Sequence, residues 1–324
     1  MLDVIGFGAI NLDMIYQVDS LSIILVEGID LLPGRELSAS SQIFSRALQR
    51  VKQHGVLKTK TGGGSAANTI VALSRMGFET GFVGKVGTDS EGERLRAEMG
   101  GVDLRGIVSG GRSGKCLSIL DASQDRFIFL ETNTNDTLSS EEIDFRYATE
   151  TRYIHFTSFV GEKPFLAQKA LADRVCPPTQ ISFDPGEVYA RRGLQYLMPL
   201  FEKSSVVFAT DREIEMLTGH NSVEGSRRLL DLGPSIIVCK RGDRGVRVLS
   251  HDQRFDLPAE TMDVKDNTGA GDVFNAGFLA GLLTNRSLRD CACFATRIAA
   301  RSLTGYGRNQ YPKRDDLAFF DKTE

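Results

Sequence analysis

Short apolar runs alternate with longer stretches of helical periodicity along most of this 324-residue chain, and no other feature limits its possible folds as much. Strand candidates are residues 3–9, 79–86, 180–184, 205–209 and 235–240. Their apolar residues are almost continuous, as in Val206, Val207 and Phe208 or Ile236, Ile237 and Val238, which suits strands covered on both faces. Helix candidates are 41–54, 65–76, 90–99, 163–175, 191–201, 222–232, 270–284 and 287–303. Within 65–76, Ala66, Ile70 and Leu73 share the stripe of a helix that faces a core. The repeated alternation predicts an α/β fold, a doubly wound and mainly parallel sheet flanked by helices. Two stretches leave the rhythm. Residues 12–40 and 107–137 read as extended segments joined by turns, and in the second 115–121 and 126–131 flank Ala-Ser-Gln-Asp as the arms of a hairpin would. They predict a small β-sheet lid on a single domain spanning 1–324, since no Ser/Pro-rich linker divides the chain and no internal repeat is visible.

The charge balance, 39 basic against 42 acidic residues, gives no footprint for a nucleic acid. No run of about 18 apolar residues is present to span a membrane. The start, MLDVIGFGAINLDMI, lacks the basic region of a signal peptide. Cys116, Cys176, Cys239, Cys291 and Cys293 have no framework spacing and fit buried thiols in a reducing compartment, so a cytoplasmic location is expected. Cys291-x-Cys293 reads as two side chains of one helix, because no second pair or clustered histidine accompanies it.

Two familiar nucleotide patterns fail. In Gly6-Phe-Gly8-Ala-Ile-Asn11, asparagine stands where a dinucleotide fingerprint needs glycine or alanine for close helix–strand packing. Around Gly114-Lys115 a phosphate loop would need glycine at Ser109 and a hydroxyl at Cys116. Three other segments carry chemistry. Asp266-Asn267-Thr268-Gly269-Ala270-Gly271-Asp272 leads into a long small-residue helix, which places Gly-Ala-Gly at its N-terminus. Free amides there carry about half a positive charge, and glycine lets an anion approach them. Such a terminus suits phosphate, and Asp272 in the first turn is placed to take a proton from an attacking hydroxyl. The plain alternative is a glycine-rich turn with Asp272 favouring the helix dipole. Gly62-Gly63-Gly64-Ser65-Ala66-Ala67-Asn68 again sets glycines before a helix, and Asn68 can both donate to and accept from hydroxyls. Ser65 as a simple N-cap and Asn68 as a surface residue is the other reading. Asn11-x-Asp13 after the first strand offers an amide and a carboxylate for vicinal hydroxyls, or else a turn.

Taken together, these segments resemble the signature regions of the PfkB (ribokinase-like) sugar and nucleoside kinases. Gly8-Ala-Ile-Asn11-Leu-Asp13, Phe82-Val-Gly84-Lys-Val-Gly87-x-Asp89-x-x-Gly92, Asp184-Pro185, Glu213-x-x-x-Leu-Thr-Gly219 and Lys240-x-Gly242-x-x-Gly245 resemble further landmarks, in family order and over nearly the whole chain. The resemblance implies a ribokinase-like fold and transfer of a phosphoryl group from ATP to a hydroxymethyl group, with Mg²⁺ and a monovalent cation such as K⁺. It makes Asp272 the base, Gly269, Ala270 and Gly271 the anion hole, and Asn11, Asp13, Gly63, Gly64 and Asn68 the acceptor contacts. Thr210, Glu213, Lys240, Gly242, Gly245 and Thr268 fall on the ATP side, Glu213 linked to Mg²⁺ and Asp266 to the monovalent cation. Thr210 stands where the family has asparagine, which puts the water network to the metal in question. Asn267 stands where threonine or serine is common. Residues 305–312 would help close the nucleotide or cation site, in an ambiguous register.

The acceptor is less legible. The long stretch between Asn11-x-Asp13 and the triple glycine resembles the extended N-terminal segment of adenosine-kinase-like members, which leans the expectation to a nucleoside such as adenosine over a free sugar. Ile15, Leu37, Phe129 and Leu130 either flank a base or pack the lid's own core. Neutral Ser65 argues against an acceptor that already carries phosphate, an inference Arg126 reverses if it faces the site. A ribokinase- or fructokinase-type free-sugar kinase is the alternative, a non-catalytic sugar-binding module and a dehydrogenase are rivals of other classes, and monomer and homodimer are both open.

Overall fold

A strand places successive side chains on opposite faces, so an unbroken apolar run needs cover on both sides. The protein, seen as a computed structural model that describes residues 1–24, 26, 29, 34–121 and 126–322, provides it. Its strands are β1 (Leu2–Phe7), β2 (Asn11–Val18), β3 (Arg35–Ser38), β4 (Gly55–Gly63), β5 (Thr80–Val86), β6 (Ile107–Ser109), β7 (Gly114–Leu120), β8 (Arg126–Glu131), β9 (Thr151–Thr157), β10 (Gln180–Asp184), β11 (Val206–Thr210), β12 (Ile236–Lys240), β13 (Val246–Ser250) and β14 (Arg254–Leu257). The α-helices are α1 (Ser41–His54), α2 (Ser65–Arg75), α3 (Ser90–Ala97), α4 (Phe145–Thr149), α5 (Glu162–Ala172), α6 (Gly186–Ala190), α7 (Leu194–Phe201), α8 (Asp211–Thr218), α9 (Ser222–Leu230), α10 (Ala270–Leu283) and α11 (Leu288–Ser302).

The large sheet runs β14-β13-β12-β11-β10-β9-β1-β5-β6. It is parallel from β12 to β6, with β13 and β14 added antiparallel at one edge. Val206 and Phe208 enter a core shared with α2, α10 and α11, while Val207 and Ala209 enter a second core shared with α5, α7, α8 and α9. The doubly wound arrangement is therefore written in adjacent residues of one strand.

The small sheet runs β3-β8-β7-β2-β4. Helix α1 covers one of its faces, setting Phe44, Ala47 and Val51 against Met14, Tyr16, Leu117, Ile119, Phe127 and Phe129. Several assignments differ from the sequence expectation, and the antiparallel edge strands β13 and β14 were not anticipated. Residues 107–109, grouped there with the lid, pair with β5 and extend the large sheet; β4, not anticipated, supplies an edge of the small one. β7 and β8 pair antiparallel as the hairpin reading requires, but its turn at 122–125 and residues 31–33 of the segment before β3 lie outside the described residues. Strand β9 was also not anticipated. Its polar His155 is fully buried and meets Ser182 of β10 at 2.9 Å, so it carries no apolar run to mark it. Cys116, Cys239 and Cys291 are buried, whereas Cys176 is exposed, contrary to the reading of all five as interior thiols. Among the described residues no helix is long and apolar enough to cross a membrane.

Candidate active site

The C-terminal ends of β1, β9, β10 and β12 open under the uncovered face of the small sheet, the place where doubly wound folds hold ligands. A cavity of about 330 Å³ lies there, lined by residues from both sheets. The small sheet contributes by period two. Asn11 and Asp13 of β2, Cys116 of β7, and Arg126, Ile128 and Leu130 of β8 face the cavity, while Phe127 and Phe129 stay in the small core. Of the four apolar residues with two open readings, Phe129 and Leu37 pack that core, Leu130 lines the cavity, and Ile15 is buried without lining it.

Helix α10 begins at the cavity wall. Gly269 caps it in the left-handed region at φ 77°, and a side chain there would stand 2.9 Å from the Tyr311 hydroxyl. The first helical bond is from Val273 N to Gly269 O at 3.0 Å; Ala270 N turns to Asn267 O at 3.5 Å, and the Gly271 and Asp272 amides have no backbone acceptor among the described residues. Gly269, Gly271 and Asp272 line the cavity; Ala270, in the same turn, does not. Asp272 Oδ2 accepts from Asn68 Nδ2 at 2.9 Å, and its carbonyl accepts from Thr69 Oγ1 at 3.1 Å, both from α2. Burial pushes the Asp272 carboxyl up to about 7; the Asn68 hydrogen bond opposes this, the Asp184 charge adds to it, and Lys240 and Arg126 oppose it.

Asp13 lines the cavity from β2 of the small sheet. The missing side chain of Gly63 makes room for it, since a Cβ on that residue would fall 1.9 Å from Asp13 Oδ2. Asp13 Oδ1 is buried with no hydrogen-bond partner among the described residues. Burial again dominates and pushes the carboxyl up to about 7, with Arg308 opposing and Asp272 reinforcing. Beside it Asn11 Oδ1 accepts from Asn135 Nδ2 at 2.9 Å, and Asn135 is in turn fixed by the backbone of Ile10. Gly64 and Asn68 line the same wall.

On the other side Lys240 Nζ donates to Asp184 Oδ2 at 2.6 Å, and Asn275 Nδ2 donates to that oxygen at 2.6 Å. Burial works against the Lys240 cation, but Asp184 and Glu213 outweigh it and hold its pKa up. The ammonium lies 3.4 Å from where a Cβ of Gly271 would stand, which sets it against the start of α10. Thr210, the departure from the family asparagine, is the N-cap of α8. Its Oγ1 accepts from Glu213 N at 3.2 Å while Glu213 Oε2 accepts from Thr210 N at 2.7 Å, a reciprocal capping box. Glu213 lines the cavity and Thr210 does not. Gly242 and Gly245 lie in the turn after β12, outside the cavity wall. Thr268 lines the cavity, and its Oγ1 is buried without a hydrogen-bond partner among the described residues. Asp266 gives one oxygen to Thr268 N at 2.9 Å and the other to Gly307 N at 3.0 Å.

Sequence reasoning missed Asn135, Asn275, Glu36 and Arg308. The first two are amides on a short turn and inside a helix, and no local pattern marks them. Arg126, left conditional, does face the cavity, and its Nη1 donates to Asn267 Oδ1 at 3.1 Å.

A half-buried carboxylate at a glycine-capped helix start thus lies beneath a small sheet, at the C-terminal ends of the strands of a doubly wound one. Residues 37–314 match the pfkB family carbohydrate kinase pattern, and the chain belongs to that family. It is accordingly a phosphotransferase with an alcohol group as acceptor. It is 33% identical over 246 residues to an uncharacterized sugar kinase of Archaeoglobus fulgidus, covering 74% of this chain and 97% of that protein. It is 30% identical over 266 residues to an ATP-dependent ribose-1-phosphate kinase of Halopiger xanaduensis, covering 81% and 86%. Among solved structures, adenosine kinase from Sinorhizobium meliloti superposes with a TM-score of 0.87 at 19% identity, covering 100% of this chain and 99% of that one.

Proposed function

We propose that the protein transfers the γ-phosphoryl group of ATP to a hydroxymethyl group of a small sugar or nucleoside, with Asp272 as the base. The observation that carries this reading is Asp272 itself, bonded to Asn68 at the start of α10 and sharing one cavity with Asn11 and Asp13. Phosphoryl transfer needs positioning and charge neutralisation above all. The Gly271 and Asp272 amides, which have no backbone acceptor among the described residues, and the Lys240 ammonium supply fixed positive ends for the migrating group. Asp13 and Asn11 would grip acceptor hydroxyls, and Asp272 would receive the proton as the acceptor oxygen bonds to phosphorus and the bond to ADP breaks. The small sheet would serve as the lid that excludes water.

The residues also fit a magnesium nucleotide. Asp184 is buried and Glu213 half-buried, and desolvation followed by the Asp184 charge pushes the Glu213 carboxyl up, a repulsion that a divalent cation relieves. Bound there, magnesium would offset the charge on the phosphate oxygens.

For the acceptor, Ile128, Leu130 and Phe159 give the cavity an apolar flank beside its polar grip, which favours a nucleoside. A second reading is an acceptor that already carries phosphate. Arg35 and Arg126 line the same cavity, and the Halopiger relative is named for ribose 1-phosphate. ADP release should be measured with adenosine, cytidine, D-ribose, D-fructose and ribose 1-phosphate. Nucleoside-dependent turnover supports the first reading and ribose 1-phosphate the second. An ADP rate unaffected by every acceptor overturns both.

A further inference from the structure

Arg308 lies in the 305–312 loop, where sequence reasoning assigned no residue roles, yet it is 5% exposed and bonded into the site. Its Nε donates to Asn68 Oδ1 at 3.0 Å, and Asn68 Nδ2 donates to Asp272 Oδ2 at 2.9 Å. A carboxamide has one accepting end and one donating end, a guanidinium only donates, and a carboxylate only accepts. The order Arg308–Asn68–Asp272 therefore allows one amide orientation. Turned over, Asn68 would set an oxygen against the carboxylate and an N–H against the guanidinium.

The loop that carries Arg308 is tied down on both sides. Its carbonyl accepts from Arg75 Nη1 of α2 at 2.5 Å, and the preceding Gly307 amide donates to Asp266, whose other oxygen holds Thr268, the residue before the α10 cap Gly269. The guanidinium is not spent on packing contacts alone. Nη1 and Nη2 are buried and meet no acceptor among the described residues, a costly state that calls for a reason. Two carboxylates favour it, Asp13 from β2 and Glu98 at the end of α3, against the like charge of Arg75 from α2, with the Tyr311 phenol beside it in the same loop. Asp272 is further faced by Asp184, Lys240 and Arg126. Lys240 is engaged by Asp184, and Arg308 is the cation that opposes the raised Asp13 carboxyl.

We propose that Arg308 is a positioning residue of the phosphoryl-transfer site, which holds Asn68 in the single orientation that keeps the Asp272 carboxyl hydrogen-bonded and aimed. The proposal rests on the reading of Asp272 as the base. Arg308→Met removes donor and charge at similar volume, and Arg308→Lys keeps both a donor and the charge. The direct readout is a ¹³C NMR titration of the Asp272 carboxyl in the free protein, which needs no acceptor. In Arg308→Met the titration moves up by about one unit, and the acidic limb of kcat, measured with the best of the five acceptors above, moves with it. At pH 6 this is a roughly tenfold loss of kcat, with KM for ATP little changed. Arg308→Lys restores most of the wild-type profile. In an Asn68→Ala background Arg308→Met costs no more than about a further twofold, because it acts through the missing amide. An unmoved Asp272 titration, or an equal loss in both backgrounds, overturns the proposal. Should Arg308→Met fail to fold by thermal melting, Asn68→Ala alone decides: it must raise the Asp272 titration, and an unmoved value counts against the relay. Near-wild-type turnover of Asp272→Asn would instead remove the base assignment itself, so the two failures are told apart.

Discussion

Asp272 at the start of α10 and Asp13 on β2 line one cavity, and burial pushes both carboxyls up to about 7, yet they are held in opposite ways. Asp272 has a fixed donor in Asn68, itself fixed by Arg308. Asp13 has a buried oxygen with no partner among the described residues and owes its room to the missing side chain of Gly63. A buried polar atom without a partner is expensive, so natural proteins keep one where a ligand will complete it. On the proposed function, the difference separates two tasks: Asp272 is organised before substrate arrives, and Asp13 keeps an unused acceptor for it.

The largest expected effect breaks the organised side. Asp272→Asn keeps shape and hydrogen bonding but cannot take a proton, so kcat should fall at least about 100-fold with the fold intact by circular dichroism. The same base gives a pH profile with an acidic limb near 7, kcat falling as pH drops and Asp272 becomes protonated. A flat profile between pH 6 and 8, with chemistry rate-limiting, would contradict it.

On the open side, Asp13→Asn should act mainly on the acceptor, lowering kcat/KM by roughly tenfold to a hundredfold, with most of the change in KM. It should also alter stability in a signed way. The folded carboxyl titrates near 7 against 3.8 for the ordinary group, so between these values the folded state binds more protons than the unfolded one. The burial of Asp13 therefore costs nothing well below pH 4, costs progressively more as pH rises toward 7, and costs most above it. Thermal melts of the free protein should show Asp13→Asn higher than wild type by a few degrees at pH 8, with the gain fading at low pH. No gain at pH 8 would mean that Asp13 is better solvated than its surroundings indicate.

The smallest effect sets a scale away from both carboxylates. Thr210→Ala removes one half of the capping box of α8 and should cost about 1 kcal/mol of stability by denaturant titration, whereas Thr210→Asn, the family residue, also caps and should cost little. A large loss of kcat in Thr210→Asn would show that threonine there does more than start the helix.

Legibility followed the range of the interaction. Helix starts were readable because glycine punctuation and first-turn residues act locally: α2 and α10 begin at Ser65 and Ala270, and the motifs sit at their N-termini as expected. Five strands of the large sheet were readable because burial on both faces leaves an apolar run. Strand β9 was not, because its buried His155 and Thr151 side chains hydrogen-bond to the neighbouring strands, to Ser182 of β10 and to the Leu2 carbonyl of β1. The capping box of Thr210 and Glu213 was present in the sequence as Thr-x-x-Glu, but it was read as a departure from a family pattern instead of as a helix start.

The sequence by itself determined the order of strands and helices, the glycine-led helix starts, and the residue types available for phosphoryl transfer, since each depends on periodicity or on backbone chemistry within a few positions. Only the tertiary structure decided which of those residues act on one another. Asn68 reaches Asp272 across 204 positions and Arg308 across 240, and both meetings depend on how α2, α10 and the loop after α11 pack. Burial is likewise a property of that packing, and it is burial that raises two ordinary aspartates into the range where one can serve as a base near neutral pH.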